Sequence, residues 1–474
     1  MNTNLPLNIS SAPGPKNEHS QSALMRWLKL WFGLHAPVGQ RAYALTGFSL
    51  MIFKYGVDAS VIHAVTGKFF SPLAYLNPLI SMRTAAIDPA PSWLMAAMAA
   101  WTLPFMWVGV SMSVRRAIDA GRSAWLGTLF LVPLINYVTM LILCFLPTRV
   151  TDDWPLAEYE IDTREKVRSA LLGIACGIAI VGGMTGFGVY VLGEYGVALF
   201  FGTPFLVGLM SAYLYNHGHP HSYSSTLAVS AMSIVLSAGG LLLFALEGVI
   251  CILMALPIAV VAALLGSLVG RAIAVHRASP PAWQALMPLM ILPLLAGVET
   301  KIAPKPLFEV FSAIEIDAPP EKVWPHVIGF SDLPEPEAWF FRAGIAYPQR
   351  ARLVGQGVGA MRYCEFSTGP FVEPITVWDA PHRLAFDVTA QPPTMHELSP
   401  YRYVHPPHLD GALRSRHGEF RLVALPNNHT RLEGRTWYEF EMYPQTYWTL
   451  WSDELIHRIH LRVLRHIKQL SESS

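Results

Sequence analysis

Apolar residues run in long unbroken stretches up to about residue 300 and then begin to alternate with polar ones. The change falls between Trp283 and Trp324. To its left, residues 283–299 are the last of a series of apolar runs. To its right, residues 308–317 alternate, the chain breaks at Ala318-Pro319-Pro320, and a helical pattern follows. Transmembrane periodicity gives way to strand periodicity within about twenty residues. Everything before the junction is expected to sit in a membrane, and everything after it to form one soluble domain.

The pattern predicts eight spans, at 42–65, 89–114, 123–148, 169–192, 197–215, 224–246, 249–273 and 283–299. A helix needs about 20 apolar residues to cross roughly 30 Å of hydrocarbon. The first span is interrupted by Lys54 and Asp58, which either pair at i, i+4 or mark the span's end. Upstream, 24–35 mixes Trp, Leu and Phe with Arg26 and Lys29, the mark of an interfacial helix; a short cytosolic helix is the competing reading. The first twenty residues are polar and rich in Asn, Ser and Pro, which predicts a disordered tail without a secretory signal. Gly173/Gly177, Gly182/Gly186 and Gly266/Gly270 are spaced for close helix approach, either inside the bundle or across a homodimer. Glu247 interrupts a double-length apolar run, so it marks a tight hairpin or a buried proton or ion site.

Charge sets the expected orientation. Arg115, Arg116 and Arg122 crowd one short loop, which places it in the cytoplasm. Eight spans then return the C-terminal domain to the cytoplasm, and Lys301 and Lys305 agree. The loop 150–168 would lie outside, although it carries Arg164, Lys166 and Arg168. That conflict is settled here in favour of the first loop, which is short and almost purely basic.

After the junction, strands are expected at 308–317, 349–355, 358–367, 372–379, 382–389, 414–425 and 429–442. They are bounded by turn signals such as Gly369-Pro370 and Pro426-Asn427-Asn428. Residues 391–412 read as a long Pro- and His-rich loop. A helix over 444–470 carries Trp448, Trp451, Leu455, Ile459 and Val463 on one stripe. That stripe either roofs a cavity over the sheet or closes a solid core.

Composition narrows the function. Of 474 residues, 14% are charged and 52% apolar, and the mean hydropathy is +0.35. Soluble domains carry nearer a quarter charged residues. A net charge of +1 gives no case for nucleic acid. The cysteines at 144, 176, 251 and 364 form no CxxC pair, which argues against a disulfide framework or a structural zinc site. No cofactor is implied.

Candidate chemistry is sparse. Asp453, His457 and His460 share a helix face, suited to a metal or to acid–base work, or simply polar. His217, His219 and His221 alternate in a loop that could take a transition metal or merely face solvent. Arg342, Tyr363, Glu365, His396, Tyr401 and His417 are the polar side chains expected near a cavity mouth. No Ser-His-Asp order, P-loop or dinucleotide fingerprint is present.

Two resemblances complete the reading. Arg115-Arg116-x-x-Asp119-x-Gly121-Arg122-Ser123-x-Trp125, with Val132-Pro133-Leu134-Ile135 downstream, resembles the bacterial inner-membrane family called domain of unknown function 805. That family usually has His where this chain has Ile118. It has no established activity, so it implies topology alone. Ile314-Glu315-Ile316-Asp317-Ala318-Pro319-Pro320-Glu321-Lys322-Val323-Trp324 and Thr430-Arg431-Leu432-Glu433-Gly434-Arg435-Thr436-Trp437-Tyr438 resemble the helix-grip superfamily of START, polyketide-cyclase and Bet v 1-like domains. This implies an α+β fold, a curved antiparallel sheet around a long C-terminal helix, binding lipids or other apolar molecules; only some members are enzymes.

The expected organisation is therefore a tail (1–23), an interfacial helix with three spans (24–150), five further spans (151–300) and a helix-grip domain (306–472). Three functions fit an inner-membrane protein of this kind. The domain binds a hydrophobic small molecule or lipid, such as one drawn from the bilayer; or it is a cyclase- or hydrolase-type enzyme; or it regulates a transporter. The few charges in the spans weigh against the last.

Overall fold

A computed structural model describes residues 23–33, 37–76, 91–131, 135–149, 163–275, 292–293, 306–401 and 404–473. The expected tail and most of the expected eighth span lie outside these residues. The first helices are α1 (Ala23–Phe32), α2 (Gln40–Thr66), α3 (Ser92–Asp119), α4 (Trp125–Thr128) and α5 (Ile135–Phe145). They are followed by α6 (Thr163–Thr185), α7 (Thr203–Asn216), α8 (Tyr223–Leu243) and α9 (Val249–Ala274). Among the described residues, five helices are long and apolar enough to cross a membrane: Gln40–Thr66, Thr163–Val191, Ala198–Asn216, Tyr223–Leu243 and Val249–Ala274. Helix α3 is 28 residues long but carries Arg115, Arg116 and Asp119 in its last turns.

Small residues bring the helices together. Helix α7 is central, with nearly every side chain buried. A Cβ at Gly208 would collide with the carbonyl of Ala263, and one at Gly266 or Gly270 with the carbonyls of Phe205 or Leu209. Gly173 and Gly177 press on Ser211 and Val207 in the same way. Two of the three glycine pairs therefore serve packing within the chain, while Gly182 and Gly186 meet nothing within 4 Å. Lys54 and Asp58 pair, and the hydroxyl of Tyr75 joins them.

The third expected span is not among the helices long and apolar enough to cross in the described residues, and Ile135–Phe145 is a shorter apolar helix. Gly127 lies against the backbone of Ser113 and Val114, and Phe130 against Gly109. The chain then returns. The carbonyl of Leu143 accepts from Arg116 Nε at 3.1 Å, and Arg149 N donates to the Asp119 carbonyl at 2.8 Å. Helices α4 and α5 thus form a hairpin that enters and leaves beside the end of α3.

This correction removes the charge conflict. Gln40 Nε2 reaches the Cys144 carbonyl at 2.7 Å, Trp125 packs on Tyr213 at 5.3 Å, and His219 lies 3.2 Å from Glu165. Arg271 Nε donates to the His221 carbonyl at 2.9 Å. One end of the bundle therefore gathers Arg41, Arg115, Arg116, Arg122, Arg149, Arg164, Lys166, Arg168 and Arg271. Helix α1, with Arg26 and Lys29, joins it through its Leu30 carbonyl, which accepts from Arg115. Its Trp27 and Phe32 stay exposed.

The soluble domain sits at the other end. Its seven strands are β1 (Leu307–Ile316), β2 (Pro348–Val354), β3 (Met361–Phe366), β4 (Gly369–Asp379), β5 (Arg383–Asp387), β6 (Leu413–Leu425) and β7 (His429–Phe440). The order is β1-β7-β6-β5-β4-β3-β2, and every neighbouring pair is antiparallel. Between β1 and β2 run α10 (Pro320–Ile328) and α11 (Trp339–Ala343). Pro320 opens α10 at its first position, where the missing N–H costs nothing. Asn427 and Asn428 supply the left-handed turn between β6 and β7, with φ of 64° and 59°. Helix α12 (Gln445–Ser473) closes the concave face. It buries Trp448, Ile456, Val463, Leu464 and Ile467, each side chain contributing roughly 1.5–3 kcal/mol if fully removed from water.

Candidate functional site

Sheet and helix do not close completely. A cavity of about 210 Å³ remains between β3–β7 and α12. Trp448, Trp451, Leu455 and Ile459 line it from the helix, and His417 from β6. Trp451 is 37% exposed and stands at the margin. The other five polar candidates do not line it. Tyr363 and Glu365 lie on the outer face of β3, where Glu365 meets Arg350 and Arg352 and Tyr363 stacks under Arg352. Strand β3 turns the opposite parity inward: Arg362, Cys364 and Phe366 face the cavity. Arg342 bonds the Glu337 carbonyl, His396 is exposed, and Tyr401 reaches the Leu243 carbonyl of the bundle.

The cavity's polar floor is an ion pair the sequence did not reveal. Arg362 and Glu373 are both buried and paired across β3 and β4. The rings of Phe386, Phe420 and Phe330 lie 5.1, 5.7 and 5.8 Å from the guanidinium. Beside it, burial pushes the Cys364 thiol up to about 12, so it is no nucleophile at neutral pH. An apolar chamber with one fixed cation–anion pair suits a greasy ligand with a polar group at one end.

The polar face of α12 divides. Asp453 accepts from the Tyr438 hydroxyl at 2.6 Å. His457 and His460 share Ser312 Oγ at 2.7 and 3.1 Å, and His460 Nε2 meets Thr436 Oγ1 at 2.7 Å. Burial, then the neighbouring His457, holds His460 down at about 4. A neutral ring fixed on both nitrogens ties helix to sheet. In the histidine loop, His221 is buried and His219 pairs with Glu165.

The seam between bundle and domain holds a second group. Glu247 lies in the short connection between α8 and α9, against His408 of the domain. The Glu397 carboxylate accepts from Ile250 N and Cys251 N at 3.2 and 3.3 Å, capping the start of α9. Val249 N donates to the Leu398 carbonyl at 2.8 Å, and Tyr443 N to the Tyr195 carbonyl at 2.8 Å. Cys251 Sγ lies 3.0 Å from His408 Nε2, and Glu247 Oε1 3.8 Å from His408 Nδ1. Burial pushes Glu247 up to about 8, with help from the Glu397 charge, and holds His408 down at about 4. Cys251, His408, Met442 and Trp448 line the cavity on one side and, on the other, a second cavity of about 120 Å³ inside the bundle. Cys251 and His408 lie 157 positions apart, so no local motif could have joined them.

Comparisons with known proteins agree with both resemblances. Residues 40–153 match the family model described as "Protein of unknown function (DUF805)". Residues 308–439 match the one described as "Polyketide cyclase / dehydrase and lipid transport". No curated protein matches. Solved structures similar to the domain include truncated norcoclaurine synthase from Thalictrum flavum, at 12% identity over 35% of this chain and 94% of that one, TM-score 0.23. Another is the Zhui aromatase/cyclase from Streptomyces sp. R1128, at 13% identity over 35% and 94%, TM-score 0.23. At these values the likeness says nothing of substrate or chemistry.

Proposed function

We propose that this membrane protein binds a hydrophobic small molecule or lipid in its helix-grip cavity and exchanges it with the interior of its own bundle. The observation that carries this reading is the shared wall: four residues separate an apolar chamber in the domain from an apolar chamber among the helices. The description "lipid transport" in the matching family model is consistent with it. An enzymatic reading has less support, because the cavity histidine His460 is held on both sides and Cys364 is a buried thiol.

We further propose that the domain faces the side of the membrane opposite the cytoplasm. The sequence reading placed it with the arginine loop, but the domain docks on the other end of the helices. Basic residues mark the cytoplasmic end, and the described loops at the domain's end, 67–76, 192–197 and 244–248, carry Lys68 as their only Lys or Arg.

Native mass spectrometry of the full chain, released from detergent, tests the ligand reading. A co-purified apolar species should appear, and Ser415→Phe, which projects a ring into the chamber, should remove it while leaving the melt cooperative. A wild-type protein that carries nothing, and whose Trp fluorescence is indifferent to added lipid, would sink the proposal.

A further inference from the structure

The seam between bundle and domain brings together three different metal-binding side chains. One donor atom each from Glu247, Cys251 and His408 lies within 4.8 Å of the others. Two of these groups are short of partners: Glu247 Oε2 and His408 Nδ1 are buried without a hydrogen bond. The His408 side chain is only 6% exposed. Buried polar atoms are nearly always satisfied, and these two, unlike the unpaired ring nitrogens of His221, lie in one cluster with metal-ligand spacing.

We propose that Glu247, Cys251 and His408 bind a borderline transition-metal ion of the Zn²⁺ type. Thiolate, imidazole and carboxylate form a donor set suited to that ion and poorly suited to Mg²⁺ or Ca²⁺. Tetrahedral zinc places such ligands about 3.3–3.6 Å apart. The trio therefore needs to close by little more than about an ångström. Glu397 holds the backbone N–H of Cys251 and so fixes the first turn that carries the thiol. The ring of Tyr195, 5.0 Å from that of His408, packs against its side.

Two consequences follow from where the ligands originate. Glu247 and Cys251 belong to the helical bundle, and His408 to the domain, so the ion would clamp one to the other. Three protein ligands also leave a fourth position open. Cys251 and His408 line both cavities, so that position faces the passage between them. The inference does not depend on what the cavities bind.

Cobalt titration of the chelator-treated full chain in detergent tests it. Co²⁺ should produce a thiolate-to-cobalt charge-transfer band and the visible bands of a tetrahedral site, and Zn²⁺ should displace them. Cys251→Ser should abolish the charge-transfer band, whereas Cys176→Ser should leave it intact. His408→Ala and Glu247→Gln should each weaken binding by at least about tenfold. Zn²⁺ should also raise the melting temperature of the wild type and not that of His408→Ala, since a ligand of the folded state stabilises it. Should Cys251→Ser fail to fold, Glu247→Gln carries the test by itself. A cooperatively folded wild type with no cobalt band, or a charge-transfer band that survives Cys251→Ser, overturns the proposal.

Discussion

The two ends of the helical bundle bury polar groups in opposite ways. At the basic end, Arg115, Arg116 and Arg271 are buried and each is met by carbonyls. Leu30 and Ser111 accept from Arg115, Leu143 and Leu146 from Arg116, and His221 from Arg271. The arginines close helix ends and hold the returning hairpin in place. At the other end, Glu397 finds the first N–H groups of α9, but Glu247 and His408 keep unpaired atoms beside a thiol. The arginines of the first end are satisfied and read as architecture, although both ring nitrogens of His221 beside them have no partner. The second end sets its unpaired atoms between two cavities, in a cluster spaced for a metal ion, and reads as a place where something binds. An unpaired buried atom does not by itself separate function from structure; its place beside a cavity and other donors does.

The orientation of these ends has the largest expected consequence, because its outcome is all or none. A membrane-impermeant maleimide added to intact cells should label Val358→Cys, an exposed position of the domain. It should reach Arg122→Cys, at the basic end, only after permeabilisation. Labelling of Arg122→Cys alone would reverse the assignment of the two faces.

Removing a satisfied arginine should cost more than disturbing any surface group. Arg116→Ala leaves Asp119 and the Leu143 and Leu146 carbonyls without their cation. Breaking a buried pair of this kind costs about 3–5 kcal/mol. The change should also free the α4–α5 hairpin, seen as faster proteolysis after Arg149. A variant as stable as the wild type would mean the basic end is not held by these contacts.

Acid should act on the domain before the basic end. His460 is neutral in the folded domain, near 4, against an ordinary value of 6.5. The unfolded chain therefore binds more protons between those values, and stability falls as pH drops from about 6.5 to about 4. One unit is worth about 1.4 kcal/mol, so the loss is no more than about 3.5 kcal/mol. Denaturant unfolding at pH 7.5 and 4.5 should show it, and His460→Gln, which keeps a donor and an acceptor, should flatten the slope. Equal slopes would place the acid sensitivity elsewhere.

How far all this was legible depends on the range of the contacts. The succession of strands along the chain, the opening of α10 at Pro320 and the stripe from Trp448 to Ile459 are local patterns, and they were readable. The α4–α5 hairpin was not. An apolar run of 123–148 is long enough to cross, and only tertiary bonds from Arg116 and Asp119 show that it turns back. The cavity was half legible for a related reason. Alternation in β3 gives two faces, but no local signal says which is concave, and Tyr363 and Glu365 were chosen from the wrong one. The seam was invisible, since it joins a membrane hairpin to a loop far along the chain.

The smallest effect is predicted at that misread face. Glu365 accepts from Arg350 Nε at 2.5 Å and Arg352 Nε at 3.2 Å, with both arginines more than half exposed. Such pairs are screened by water and salt and add little to stability. Glu365→Gln should melt with the wild type and retain whatever apolar species the full chain carries, because its side chain points away from the chamber. Inside, the neighbouring position behaves differently. Arg362→Met removes the partner that a buried carboxylate, that of Glu373, has among the described residues, and should alter both stability and the retained ligand. If Glu365→Gln instead lost the ligand and Arg362→Met kept it, the inward and outward faces of β3 would have to be exchanged, and the chamber with them.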